Sequence, residues 1–87
     1  MSLEARMREL LGGLDPESLE ILDESALHAG HEGAKSGGGH YHVTIVSPKF
    51  AGQSAMARHR MVYGALSGLM PREIHALSIK ALAPDEF

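Results

Sequence analysis

The fold turns on residues 40–63: His40-Tyr41-His42-Val43-Thr44-Ile45-Val46-Ser47-Pro48-Lys49-Phe50-Ala51-Gly52-Gln53-Ser54-Ala55-Met56-Ala57-Arg58-His59-Arg60-Met61-Val62-Tyr63. Over residues 40–47 the pattern has a period of two. Tyr41, Val43 and Ile45 share one face and His40, His42 and Thr44 the other, which predicts a strand. The stretch from Val46-Ser47 to Phe50-Ala51-Gly52 reads as a turn. Ser54 is a good helix N-cap. Beyond it the period becomes helical: at about 100° per residue, Ala55, His59, Val62, Tyr63, Leu66, Leu69 and Met70 fall in one apolar sector. Arg58 and Arg60 lie on its two flanks.

Outward from this segment the remaining elements follow. Gly68 and Pro71 end or kink the helix, with Pro71-Arg72-Glu73-Ile74 as a candidate extra turn. A last strand is predicted over about 75–82, with His75, Leu77 and Ile79 on one face and Ala76, Ser78 and Lys80 on the other. Toward the N-terminus, Leu3, Met7, Leu10, Leu11 and Leu14 recur at helical spacing, giving an amphipathic helix over residues 2–13 that Asp15-Pro16 stops. Leu19 and Ile21 alternate with Glu20 in a short strand over residues 18–24. Residues 28–39 contain five glycines in twelve positions and predict a mobile loop. The order helix, strand, strand, helix, strand gives an α+β sandwich. Its three-stranded sheet would carry the helices on one face and bury Leu19, Ile21, Tyr41, Val43, Ile45, Leu77 and Ile79 against Met7, Leu10, Val62 and Leu66. A helical crossover between the last two strands makes them parallel and the sheet mixed.

The chain has 87 residues, which fits one domain over residues 1–87. It has no cysteine, so disulfides, thiolate metal sites and a cysteine nucleophile are excluded. Net charge is −3 with neutral histidines, too acidic for the broad positive field of a non-specific nucleic-acid binder. With six histidines, that charge moves toward zero or above as the pH falls near the ordinary imidazole range. No apolar run approaches the roughly 20 residues of a membrane span. Arg6 and Arg8 mixed with Glu4 and Glu9 do not make a transit peptide. The expectation is a cytoplasmic protein without a membrane partner.

Serines and histidines are plentiful, but no nucleophile elbow, ordered triad, P-loop or dinucleotide fingerprint occurs, so an enzyme is not expected. The histidines are the donors of interest. His59, near the centre of its apolar sector, reads as a core histidine bonded to neighbouring polar groups. His75 opens a strand on the side where the helices pack. It either bonds a loop carbonyl or orients through one nitrogen and offers the other to a metal. His28 and His31 lie three apart in the glycine-rich loop, and their value as ligands depends on that loop folding over His75. His40 and His42 share the solvent face. Gly30-His31-Glu32-Gly33 spells the GxxG string with which KH domains clamp a nucleic-acid backbone. Here it lies between two strands rather than two helices.

His40-Tyr41, the turn from Val46-Ser47 to Phe50-Ala51-Gly52, Arg58-His59-Arg60-Met61-Val62-Tyr63 and Ile74-His75-Ala76-Leu77 together resemble the BolA family, in the right order and over nearly the whole chain. The resemblance implies an αββααβ two-layer fold similar to type II KH domains. It also implies a non-enzymatic partner of a monothiol glutaredoxin. The pair shares a [2Fe-2S] cluster with glutathione, and none is held tightly by the isolated chain. His75 would be the family's histidine ligand, with His28, or alternatively His31, as the second. Imidazole in place of thiolate makes the ligand set less anionic, as in Rieske centres. Its protonation competes with iron, so retention would weaken as pH falls. Some members are also regarded as stress-response transcription regulators. For that alternative, Arg58, His59, Arg60, Lys49 and Arg72 would make the DNA-binding or partner-binding surface. The third reading is an assembly module without ligand, a monomer or weak homodimer.

Overall fold

The computed structural model describes residues 2–24, 39–70 and 72–87. Helix α1 (Leu3–Leu11) starts where the Ser2 Oγ accepts the Ala5 N–H at 3.1 Å. It tightens into a 3-10 turn over Gly12–Leu14, and Asp15, at a left-handed φ of 54°, turns the chain toward strand β1 (Ser18–Asp23). Strand β2 covers Gly39–Val46. A 3-10 turn over Pro48–Phe50 leads to helix α2 (Ala55–Leu66), whose N-cap Ser54 accepts the Ala57 N–H at 3.1 Å. The second helical piece after α2 is a single 3-10 turn, Ser67–Leu69, followed by strand β3 (Ile74–Leu82). A last 3-10 turn spans Pro84–Glu86.

The three strands form one sheet in the order β1-β2-β3. β1 and β2 are antiparallel, with Ser18 opposite Val46 and Asp23 opposite Tyr41. β2 and β3 are parallel, as the crossover through α2 requires. The mixed sheet and the two-layer α+β architecture are therefore as expected. Met7 and Leu11 of α1 and Val62 and Leu66 of α2 meet Ile21, Val43, Ile45 and Ile74 of the sheet in one buried cluster, together with Phe50 and Leu69. Among the described residues no helix is long and apolar enough to cross a membrane.

Four local expectations are corrected. Leu10 is exposed and Leu11 takes its place in the core, because Met7 and Leu11, four apart, define the buried stripe of α1. His59 is exposed and not a core histidine. The buried stripe of α2 runs Val62, Leu66 and on to Leu69, flanked by Met61 and Ala65, so His59 falls on the neighbouring stripe and keeps its imidazole in water. Tyr63 follows His59 on that stripe and is 38% exposed. Its hydroxyl nevertheless donates to the Leu77 carbonyl at 3.1 Å, tying α2 to β3.

The fourth correction concerns β3. Strict alternation would align His75 with Leu77 and Ile79 on the core face. Instead Gly39 pairs with Ile74 and His40 with Ala76, so His75 is an extra residue opposite a single step of β2. The irregularity reverses the face parity. Ile74 is fully buried, His75 is exposed, and Leu77, Ile79 and Ala81 pack against the core.

Candidate functional site

The bulge determines where His75 stands. Immediately before it, Ile74 is anchored in the core, and immediately after it, Ala76 rejoins the ladder opposite His40. The Gly39 N–H donates to the Glu73 carbonyl at 3.1 Å, which closes the mouth between β2 and β3. A Cβ at position 39 would collide with the Tyr41 ring, so any side chain there must displace it. The Tyr41 phenol is pushed above its ordinary pKa by burial, helped by the charges of Asp23 and Glu4. On the other side of β2, toward β1, the His40 carbonyl accepts the Glu24 N–H at 2.7 Å. Hydrogen bonds on both sides of β2 thus hold the strand end beside the exposed His75.

The bulge also brings two histidines together that regular alternation would keep on opposite faces. The rings of His40 and His75 have centroids 5.5 Å apart and planes inclined by 51°. His40 is half-buried rather than part of a solvated patch with His42. The pairing was not legible in the sequence because a one-residue slip changes the face of every following side chain. The one local signal was Gly39, since a glycine at a strand end can mark a bulge or a close approach. His28 and His31 lie outside the described residues.

The basic residues separate into two kinds. Arg58 is committed to the fold: its side chain is only 12% exposed, and its Nε donates to the Gln53 carbonyl at 3.0 Å. Its Nη1 donates to the Ala81 carbonyl at 3.0 Å and to Glu86 Oε1 at 2.5 Å, while Nη2 donates to Glu86 Oε2 at 3.0 Å. The Arg58 hydrogen bonds, with the Ala83 N–H, hold the Glu86 carboxyl at a pKa of about 2. Arg60, Lys49 and Arg72 are exposed. Arg60 Nη2 donates to the Met56 sulfur at 3.5 Å, and Lys49 donates to the Gly13 carbonyl at 3.1 Å.

The family model for BolA-like protein matches residues 10–86. The chain belongs to the BolA-like family. It is 40% identical over 86 residues to BolA-like protein 1 of Bos taurus, covering 98% of this chain and 62% of the bovine protein. It is 36% identical over 80 residues to a protein of Vibrio cholerae named DNA-binding transcriptional regulator BolA, covering 92% of this chain and 73% of that one. The solved structure of BolA1 from Arabidopsis thaliana superposes with a TM-score of 0.84 at 39% identity, covering 100% of this chain and 98% of that chain.

Among the described residues, the nitrogen donors at this mouth are the imidazoles of His40 and His75. The chain supplies no thiolate, and among the described residues no group of three or more His, Asp or Glu side chains converges. The exposed His75 imidazole is a donor that a ligand from outside the chain can reach.

Proposed function

We propose that this chain is a non-enzymatic iron–sulfur trafficking or sensing adaptor that pairs with a monothiol glutaredoxin and shares a [2Fe-2S] cluster through His75. The observation that carries the reading is the bulge, which exposes His75 while Ile74 stays fully buried beside it. Membership of the BolA-like family supports it. In this reading Ile74 fixes the backbone, Gly39 lets β2 and β3 close, and the Tyr63 hydroxyl holds α2 against the start of β3. His75 then presents a nitrogen without any rearrangement of the core. Bound to one iron, a neutral imidazole in place of a thiolate makes the cluster less anionic and raises its potential. His28 or His31 would supply the second ligand. Because protons compete for imidazole, cluster retention falls as the medium becomes more acidic.

The test is anaerobic reconstitution with a monothiol glutaredoxin, glutathione, iron and sulfide, followed by visible circular dichroism. The expected result is a spectrum that requires both proteins and changes with His75→Ala. A spectrum identical to that of glutaredoxin alone, or one indifferent to His75→Ala, overturns the ligand role.

A second reading, a DNA-binding regulator, is favoured by the name of the Vibrio cholerae relative. Its surface would consist of the exposed Arg60, His59, Lys49 and Arg72, with Arg58 holding the helix in place. It predicts duplex binding that weakens steeply with salt, and the Arg60→Ala variant reduces the salt slope by about one unit. No retardation of any duplex at low salt removes this reading.

A further inference from the structure

We propose that Arg8, Tyr63 and Arg58 guard the two free edges of the sheet against strand addition by a second copy of this chain. The inference concerns the sheet edges and does not rest on the His75 mouth or on the cluster reading.

Hydrogen-bond parity fixes which backbone groups face outward. β1 and β3 flank β2, so among the described residues each has one edge without a strand beside it. The Glu24 N–H donates to the His40 carbonyl, which in the antiparallel register turns the even-numbered residues of β1 toward β2. The Ser47 N–H donates to the Leu82 carbonyl, which does the same for the even-numbered residues of β3. Leu19 and Ile21 on β1, and Leu77, Ile79 and Ala81 on β3, therefore direct their backbone groups away from the sheet. Such a row is a template for another strand. β3 is the greater liability, because it runs nine residues, Ile74–Leu82, and only His75, Ser78 and Lys80 among them are polar.

Both helices place side chains on these outward carbonyls. From α1, Arg8 Nη1 donates to the Leu19 carbonyl at 3.2 Å. From α2, the Tyr63 hydroxyl donates to the Leu77 carbonyl at 3.1 Å and Arg58 Nη1 to the Ala81 carbonyl at 3.0 Å. Each donor atom stands inside the roughly 4.8 Å at which a neighbouring strand would run, so it fills the place of the added backbone.

The positions of the guards on β3 match the pairing they would oppose. Two β3 strands joined antiparallel about Ile79 form a self-complementary, two-fold contact. It sets Leu77 of one copy against Ala81 of the other, and those are the two carbonyls already occupied. Arg58 is also held by the Gln53 carbonyl and the Glu86 carboxylate, so this guard is fixed. The exposed Lys80 adds a charge on the same strand, a further obstacle to edge pairing.

The experiment uses the full chain and combines Tyr63→Phe with Arg8→Met. Both side chains are partly exposed, so the hydroxyl and the guanidinium are removed without opening the core. Wild type, the double variant and Leu66→Val, a core variant with all guards intact, are compared by sedimentation velocity over a wide concentration range. Urea unfolding establishes that each is folded. The expected result is that wild type and Leu66→Val stay monomeric while the double variant associates about tenfold or more tightly than either. Its amide hydrogen exchange should slow with concentration at Leu77 and Ile79 or at Leu19 and Ile21, whose N–H groups face outward. A double variant as monomeric as the wild type overturns the proposal. Equal association of Leu66→Val also overturns it, since the cause would then be lost stability. So does association that leaves the outward amides unprotected, or a wild type that already pairs through these edges.

Discussion

Position 39 shows how one missing side chain shapes the site. Gly39 lies under the Tyr41 ring, and its N–H reaches the Glu73 carbonyl just before the bulge. Gly39→Ala is expected to push the ring aside and destabilise the fold by about 1–3 kcal/mol. Urea unfolding gives the magnitude. Displaced ring resonances of Tyr41, His40 and His75 would locate the disturbance, and an unperturbed variant would show that the ring yields freely. At this scale, sequence was a good guide to residue type and a poor one to environment. His75 was recognisable as the histidine opening a strand. Its pairing with His40 was not, because it arises from an irregular step in the ladder rather than from either residue's neighbours. His59 is the converse case: a histidine inside an apolar pattern that the packing leaves in water.

Between elements, Arg58 links α2 to the end of β3 and to the final turn. Glu86 has a folded-state pKa of about 2, below its ordinary 4.5. The bound form is therefore the charged one, and its contribution is complete above about pH 4.5 and lost as pH falls toward 2. The stability difference between wild type and Glu86→Gln is expected to be constant above that window and to narrow within it. Urea unfolding of both proteins at several acidic pH values measures the difference. A gap that stays fixed through the window would mean that the pair adds no stability, as many exposed ion pairs do not. The elements themselves were largely legible, since Ser54 caps α2 as expected and β2 keeps its two-residue period. The rotational phase of α2 was not. An apolar sector wide enough to include His59 and Tyr63 allows several orientations, and packing against the sheet selects the stripe of Val62 and Leu66.

For the whole molecule, the single core between two helices and three strands makes stability a shared property. Leu66 is fully buried at its centre, so Leu66→Ala is expected to cost about 2–5 kcal/mol. Its urea midpoint should fall while the denaturant slope stays unchanged. Loss proportionally smaller than for a surface substitution would contradict a common core. The two-layer mixed sheet was legible because the periods of 2 and 3.6, the caps and the crossover all agree on it. Composition alone excluded thiolate chemistry, so any metal this chain binds must meet imidazole, oxygen or methionine thioether donors. Those conclusions follow from properties each residue carries wherever it sits. What only the tertiary structure decided was the company the side chains keep: Ile74 in the core, His75 outside it beside His40, and Arg58 locked to Glu86. These depend on register, on helix phase and on contacts between residues far apart in the chain. Local periodicity does not encode them, because shifting a strand by one residue or turning a helix by one position leaves the local pattern nearly as well satisfied while changing every neighbour.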